Sequence, residues 1–148
     1  MFYLRATSIC LGTGFMLATI ALFSSPWYID YDGYELSMIP YQYSDFFPWS
    51  AVCTLFYIGY GLYFIAAIVL IIANWKAHRQ GNYKSKLLFI ISTILFFLIS
   101  VAIIASFATL AFNVYSDDIG WSAYMALASG IVTSVTSILC SFILCKKC

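Results

Sequence analysis

Charged residues are scarce in this chain, and their scarcity excludes a soluble domain of ordinary composition. Only 9% of the 148 residues are charged and 64% are hydrophobic, whereas about a quarter of the residues in a soluble domain are charged. A soluble four-helix bundle would also need a polar stripe along each helix, and the run from Leu87 to Ala111 offers only scattered Ser and Thr. We therefore expect the chain to lie in a lipid bilayer.

Side chains that carry chemistry are also few. The single His lies in a hydrophilic connection, and the long apolar runs contain no Asp, Glu, Lys, Arg or His. Only Cys145 and Cys148 have a spacing that metal sites use, and they lack a second pair of ligands. We therefore predict that the protein is not an enzyme and binds no metal, cofactor or nucleic acid. The lack of ionisable groups within the bilayer also argues against a transporter.

Four apolar runs are long enough to cross a bilayer, which takes about 20 apolar residues. They cover residues 6–23, 51–73, 87–111 and 123–144. We predict an all-α transmembrane fold, a left-handed four-helix bundle that forms one domain over residues 1–148. The predicted helices cover residues of about 6–24, 50–75, 86–112 and 121–145.

The charges are segregated between the connections. Every Lys and Arg precedes the first run, lies between the second and third, or follows the fourth, and every Asp and Glu lies in the other two connections. By the positive-inside rule, both termini and the loop 76–86 are cytoplasmic, and the connections 25–49 and 113–120 face outward. We expect an integral protein of the plasma membrane.

The first outer connection contains a β-hairpin signal, WYIDYDGYELSM, over residues 27–38. Asp32-Gly33 lies between runs rich in Tyr, Ile and Trp, and such a dipeptide supplies the two positive φ angles of a type I′ turn. The sequence therefore predicts a small extracellular hairpin with a two-residue loop.

A type I′ turn at this position would pair Ile29 with Leu36 and Asp30 with Glu35. One face of the hairpin would then be aromatic and apolar, and the other would be acidic. The pair of like charges is open to two interpretations, two solvated surface carboxylates or a weak cation site formed by Asp30 and Glu35.

The first outer connection is also dense in aromatic residues. These residues are either an interfacial anchor belt or a docking surface, because Tyr and Trp dominate the hot spots of protein interfaces. The candidate partner-binding residues are Trp27, Tyr31, Tyr34, Phe46, Phe47 and Trp49.

Small residues in the apolar runs indicate where helices approach closely, since Gly, Ala and Ser are enriched at helix contacts in membranes. The candidate packing residues are Gly12, Gly14, Gly59, Gly61, Ala126, Gly130 and Ser134. Near the chain end, Cys145 and Cys148 bracket two Lys residues at the inner membrane face, a setting that suits palmitoylation. Free thiols are the alternative.

Two segments of the chain resemble a known family. Pro26-Trp27 follows the first run, and Gly120-Trp121-Ser122 with Tyr124 opens the closing segment IGWSAYMALASGIVTSVTSILCSFILCKKC. These features resemble the superfamily of claudins, peripheral myelin proteins and epithelial membrane proteins, which implies four spans with both ends inside. The Gly-Leu-Trp and two-cysteine motif of claudins is absent, and the hairpin would be a reduced form of the outer sheet of that family.

Recognition in or between membranes is the function class that remains. We expect a claudin-like tetraspan protein that acts in cell adhesion, at cell junctions or in membrane organisation through its aromatic outer loop. The alternative is an auxiliary subunit of an ion channel or receptor, and a self-assembled cation pathway is a third possibility. The expected partners are membrane lipids and either further copies of the chain or a larger membrane protein.

Overall fold

The computed structural model describes residues 2–24, 26–29, 32–33, 35–38, 49–80 and 85–146. In this part of the chain, four helices are long and apolar enough to cross a membrane. Their bounds are Phe2–Phe23 (α1), Trp49–Gln80 (α2), Lys86–Asn113 (α3) and Trp121–Cys145 (α4). Two short strands, Tyr28–Ile29 (β1) and Glu35–Leu36 (β2), form an antiparallel sheet. The predicted all-α transmembrane fold with a small two-stranded sheet is confirmed, whereas the left-handed sense of the bundle and the extracellular position of the sheet stay predictions.

The helix ends differ from the predicted ones mainly in α1 and α2. Helix α1 begins at Phe2, and α2 continues to Gln80 instead of ending near residue 75. The basic connection after α2 is therefore shorter than the predicted loop 76–86. The reason is that a helix does not have to end where the hydrocarbon ends, because Lys, Arg and Gln are good helix formers in water.

The helices pack in the order α1, α4, α3, α2, and α1 approaches α2 only sparsely. Aromatic side chains bridge the wider space between α1 and α2. The ring of Phe15 on α1 stacks on Tyr60 at 5.7 Å and meets the edge of Phe64 at 5.4 Å. Thr19 and Tyr60 also share a hydrogen bond between their hydroxyls, 3.1 Å apart. Large aromatic rings therefore fill the wider space between α1 and α2, whereas small residues lie where other helices come closer.

Three of the candidate packing glycines lie where two helices come close. A Cβ at Gly59 would lie 2.9 Å from Cγ1 of Ile103, and one at Gly130 would lie 2.8 Å from Cγ1 of Ile104. A Cβ at Gly14 would lie 3.1 Å from the hydroxyl of Tyr63. Gly59 and Gly130 therefore let α2 and α4 approach α3. Gly14 lets α1 approach the side chain of Tyr63 on α2.

Gly12 and Gly61 do not pack on another helix of the bundle. A Cβ at either position would meet nothing within 4 Å, and both residues are exposed on the lipid-facing surface. The packing prediction is wrong for these two residues within the chain. The physical reason is helical phase, because each lies two residues from a glycine that faces inward, which is a rotation of about 200°.

Serine hydroxyls tie α3 to its two neighbours, α4 and α2. Ala126 on α4 is fully buried, and the hydroxyl of Ser134 hydrogen-bonds that of Ser100 on α3. Ser100 also donates to the carbonyl oxygen of Gly130 at 3.0 Å. Ser106 on α3 donates to the carbonyl oxygen of Val52 on α2 at 2.8 Å. Such bonds hold helices together where lipid provides no hydrophobic driving force between them.

A buried polar cluster joins α1, α2 and α4. The hydroxyl of Tyr63, a residue only 1% exposed, bonds the hydroxyl of Ser129 at 3.0 Å and also that of Thr133. Ser129 in turn donates to the carbonyl oxygen of Gly14 at 2.8 Å. Every hydroxyl in the cluster has a partner, which is the condition for burying polar groups in an apolar medium.

The sheet has a register one residue away from the predicted one. Tyr28 pairs with Leu36 and Ile29 with Glu35, so the predicted pairing of Asp30 with Glu35 is wrong. Gly33 has a φ of +80°, whereas Asp32 has no positive φ, and a type I′ turn would require both. A single left-handed Gly is typical of three-residue hairpin loops, and one extra loop residue shifts the register by one.

The shift in register changes which side chains share a face. Tyr28 and Leu36 lie together and are buried, at 7% and 8% exposure, whereas Ile29 lies beside the exposed Glu35. The predicted division into an apolar face and an acidic face is therefore wrong. Asp30, the other member of the candidate cation site, lies outside the described residues.

Candidate docking surface at the acidic end

The bundle has an acidic end and a basic end. The acidic end carries β1, β2 and the connection from α3 to α4, and its described carboxylates are Asp32, Glu35, Asp117 and Asp118. The basic end carries the starts of α1 and α3 and the ends of α2 and α4, and its described cations are Arg5, Lys76, Arg79, Lys86 and Lys146. The two signs of charge are thus separated by the length of the bundle.

The two segments that carry the family resemblance dock on each other at the acidic end. The backbone N–H of Gly120 donates to the carbonyl oxygen of Trp27 at 2.8 Å, and that of Ser122 donates to Pro26 at 3.4 Å. Tyr28 also forms an isolated antiparallel bridge with Ile119. We call the contact of Pro26 and Trp27 with Gly120 and Ser122 the clasp. It joins the outer sheet to the entry of α4.

Glycine is the residue that the clasp requires at position 120. A Cβ built there would lie 1.9 Å from the carbonyl oxygen of Pro26, far inside the contact distance of any two atoms. Sequence analysis identified Gly120 as a motif residue but gave no reason for it. The structure supplies one, because two backbone segments approach each other closely at this point.

Trp27 belongs to the core and is not displayed. Its side chain is fully buried, its ring meets that of Phe56 edge to face at 4.9 Å, and its indole N–H donates to the carbonyl oxygen of Ala21 at 2.6 Å. Ala21 lies in the last turn of α1, where carbonyl groups have no partner within the helix. The prediction that Trp27 docks a partner is therefore wrong, and its indole instead satisfies the end of α1.

The other candidate docking residues divide into two groups. Trp49 opens α2 and is fully buried, so it too is unavailable to a partner. The remaining candidates, Tyr31, Tyr34, Phe46 and Phe47, lie outside the described residues.

The last turn of α3 and the connection from α3 to α4 display aromatic side chains that sequence analysis did not select. Phe112 is 89% exposed and Tyr115 is 84% exposed, and both lie close in sequence to the exposed Asp117. The available signal was the sequence NVYSDD, in which Tyr has no apolar neighbours on one side.

The described carboxylates of the acidic end do not form a metal site. Within the described ranges, no group of three or more His, Cys, Asp and Glu side chains could hold a metal ion together. Glu35 is exposed and lies opposite Ile29. The surface at this end is thus an acidic and aromatic face, suited to recognition and without a built cation site in the described part.

The described cysteines are unpaired thiols. Cys53 and Cys140 are buried in the bundle, Cys10 is partly buried and Cys145 is exposed. Cys145 closes α4 and is followed by the exposed Lys146, and Cys148 lies outside the described residues. Lipidation of Cys145 and Cys148 stays a prediction.

Comparison with known proteins gives one positive result. No curated protein matches the chain. The family model described as "tight junction protein, claudin-like" matches residues 1–148, which is the whole of the sequence. It agrees with the four helices that are long and apolar enough to cross a membrane. The chain therefore belongs to the claudin-like family of tight junction proteins.

Proposed function

We propose that this protein organises contacts between membranes, as an adhesion or junction component, through the surface at its acidic end. The role is structural and not enzymatic. The observation that carries the proposal is the high exposure of Tyr115 in the α3–α4 connection and of Phe112 in the last turn of α3. Exposed large aromatic side chains are typical of protein interfaces, where Tyr and Trp are enriched among the few residues that dominate the binding free energy.

The clasp supports the proposal because it holds the α3–α4 connection, which carries Tyr115, in one conformation. Backbone hydrogen bonds from Gly120 and Ser122 to Trp27 and Pro26 hold the α3–α4 connection against the outer sheet. A docking surface held in one conformation loses less entropy when it binds. Tyr31, Tyr34, Phe46 and Phe47 remain candidate members of the same surface.

Charge placement supports the direction in which the surface faces. The described cations lie at the opposite end of the bundle, and cytoplasmic ends of membrane proteins carry an excess of Lys and Arg. The acidic end then faces outward from the plasma membrane. A role as a channel or receptor subunit is not favoured by the family match, and a larger protein that co-purifies in mild detergent would be the sign of it.

The test is enrichment at contacts between cells that express the protein. We expect the wild type to concentrate where two expressing cells meet, and the double variant Phe112→Ala, Tyr115→Ala to lose most of that enrichment while it still reaches the surface. The matched control is Phe97→Ala, which removes a 61% exposed ring from the lipid-facing side of α3.

Two outcomes would contradict the proposal. One is unchanged enrichment of the double variant. The other is an equal loss in Phe97→Ala, which would show that any exposed ring matters and that the outer connection has no special role.

A further inference from the structure

One lipid-facing stripe of α2 ends in an indole and a guanidinium at the basic end. Ile68, Ile72, Trp75 and Arg79 follow one another at intervals of three or four residues, which places them on one side of the helix. Ile68 is 59% exposed, Ile72 46% and Trp75 58%, and Arg79 is exposed as well. This stripe faces away from the rest of the bundle.

The geometry of Trp75 and Arg79 fits the membrane interface. The guanidinium carbon of Arg79 lies 4.8 Å from the centre of the Trp75 ring, a cation–π contact that holds the charge above the ring. Trp settles at the level of lipid headgroups, and the planar guanidinium presents donors that match a phosphate. Lys76, next to Trp75 in sequence, adds a second cation to this end of the stripe.

The length of the stripe matches one leaflet. Arg79 lies eleven positions after Ile68, which is a rise of about 16 Å at about 1.5 Å per residue. Half of the hydrocarbon core of a bilayer is about 15 Å. An acyl chain laid along the isoleucines would therefore place its glycerol group near Trp75 and its phosphate near Arg79.

No described carboxylate competes for these cations. The described Asp and Glu residues all lie at the acidic end, the full length of the bundle away. We propose that this stripe, which we call the α2 lipid site, binds one anionic phospholipid of the leaflet at the basic end. Arg79 and Lys76 contact the phosphate, and Ile68, Ile72 and Trp75 contact the chain and glycerol.

The experiment compares lipids that differ only in headgroup. The full chain is purified in mild detergent, mixed with equal amounts of phosphatidylserine and phosphatidylcholine of identical chains, and examined by native mass spectrometry. We expect one phosphatidylserine to be retained in preference. Arg79→Gln should lower the ratio of the two adducts about five-fold, which corresponds to about 1 kcal/mol for one cation.

Two further variants separate a site from a general effect of charge. Arg79→Lys keeps the charge but loses the planar fork, so its ratio should fall between those of the wild type and Arg79→Gln. Lys146→Gln removes a cation from the same end of the bundle but outside the stripe, and it should retain the ratio of the wild type. Circular dichroism of each variant checks that the helices are intact.

Two results would overturn the proposal. If the wild type retains the two lipids equally, the stripe does not select an anionic headgroup. If Lys146→Gln lowers the ratio as much as Arg79→Gln does, the preference comes from the net charge of the basic end and not from the α2 lipid site.

Discussion

At the scale of single residues, two pairs of glycines show what a small side chain can and cannot indicate. Gly12 and Gly14 lie two residues apart on α1, as do Gly59 and Gly61 on α2, and only one of each pair touches another element. Spacing alone favours packing for all of them. Rotation of about 100° per residue allows it for only one member of each pair.

We predict opposite outcomes for alanine at Gly59 and at Gly61. A Cβ at position 59 would lie 2.9 Å from Ile103, which is fully buried, so Gly59→Ala should lower the free energy of unfolding by about 1–3 kcal/mol. Gly61→Ala meets nothing within 4 Å and should be neutral or stabilising by up to about 1 kcal/mol, because Ala favours helix.

The measurement is unfolding in detergent, followed by the reaction of a thiol dye with Cys53 and Cys140. Both thiols are buried in the folded bundle and become reactive when it opens. Equal destabilisation by the two substitutions would contradict the assignment of inward and outward faces.

Trp27 illustrates a second limit at the residue scale. The large apolar surface of the Trp side chain and its one hydrogen-bond donor, the indole N–H, suit a docking surface and a buried position equally well. What decided between them was the carbonyl oxygen of Ala21, which lies in the last turn of α1 and accepts the indole N–H. This hydrogen bond could not be predicted from the sequence, because it depends on how the end of α1 lies against the start of the outer connection.

At the scale of elements, the four helices could be predicted because a bilayer admits few other structures. Backbone groups in hydrocarbon must be satisfied within the segment, so a long run without charge is nearly always a helix. The bounds of α4 agree with the predicted residues 121–145. The extension of α2 to Gln80 could not be predicted in the same way, since apolar composition ends before the helix does.

The hairpin shows that a turn dipeptide fixes the presence of a turn better than its length. The Asp32-Gly33 signal correctly predicted that two antiparallel strands flank a turn, because β1 and β2 pair in this way. The same dipeptide fits loops of two and of three residues, which differ in the number of positive φ angles. A loop longer by one residue shifts the register by one, and each side chain then changes face. Glu35 therefore pairs with Ile29 and not with Asp30 as predicted.

The clasp is an element-scale contact, and we predict that Gly120→Ala weakens it. A Cβ at 1.9 Å from the carbonyl oxygen of Pro26 cannot be accommodated without movement of the backbone, so the entry of α4 must separate from the outer sheet. We expect a loss of about 1–3 kcal/mol in the free energy of unfolding, together with faster proteolysis of the outer connections.

Gly12→Ala is the matched control for the clasp, because it adds the same methyl group at a position with open space. It should leave the protease resistance unchanged and, like Gly61→Ala, be neutral or stabilising by up to about 1 kcal/mol. If Gly120→Ala behaves like Gly12→Ala, the clasp does not hold the outer connections in place.

At the scale of the whole molecule, the segregation of charge gives the bundle its two ends. Bases lie at one end and acids at the other among the described residues, and this could be predicted because the connections alternate in sign along the chain. The surface that displays aromatic residues could not be assigned in the same way. Whether an aromatic side chain is exposed depends on how it packs against the helices. Trp27 and Trp49 are buried, and Phe112 and Tyr115 are the exposed candidates for the docking surface.

The two-ended charge distribution supports one proposed orientation. In this orientation the acidic end would present the clasp and the α3–α4 connection to the outside, and the basic end would meet the anionic inner leaflet. Both proposals, the docking surface and the α2 lipid site, use this orientation. They are otherwise independent, because they concern opposite ends of the bundle.

The orientation is tested most directly by labelling single cysteines on intact cells. The five native Cys are replaced, and one Cys is introduced either at Ser116, in the α3–α4 connection, or at Gln80, at the end of α2. A membrane-impermeant maleimide should label Ser116→Cys on intact cells and Gln80→Cys only after the cells are permeabilised. Labelling of Gln80→Cys but not Ser116→Cys on intact cells would contradict the account.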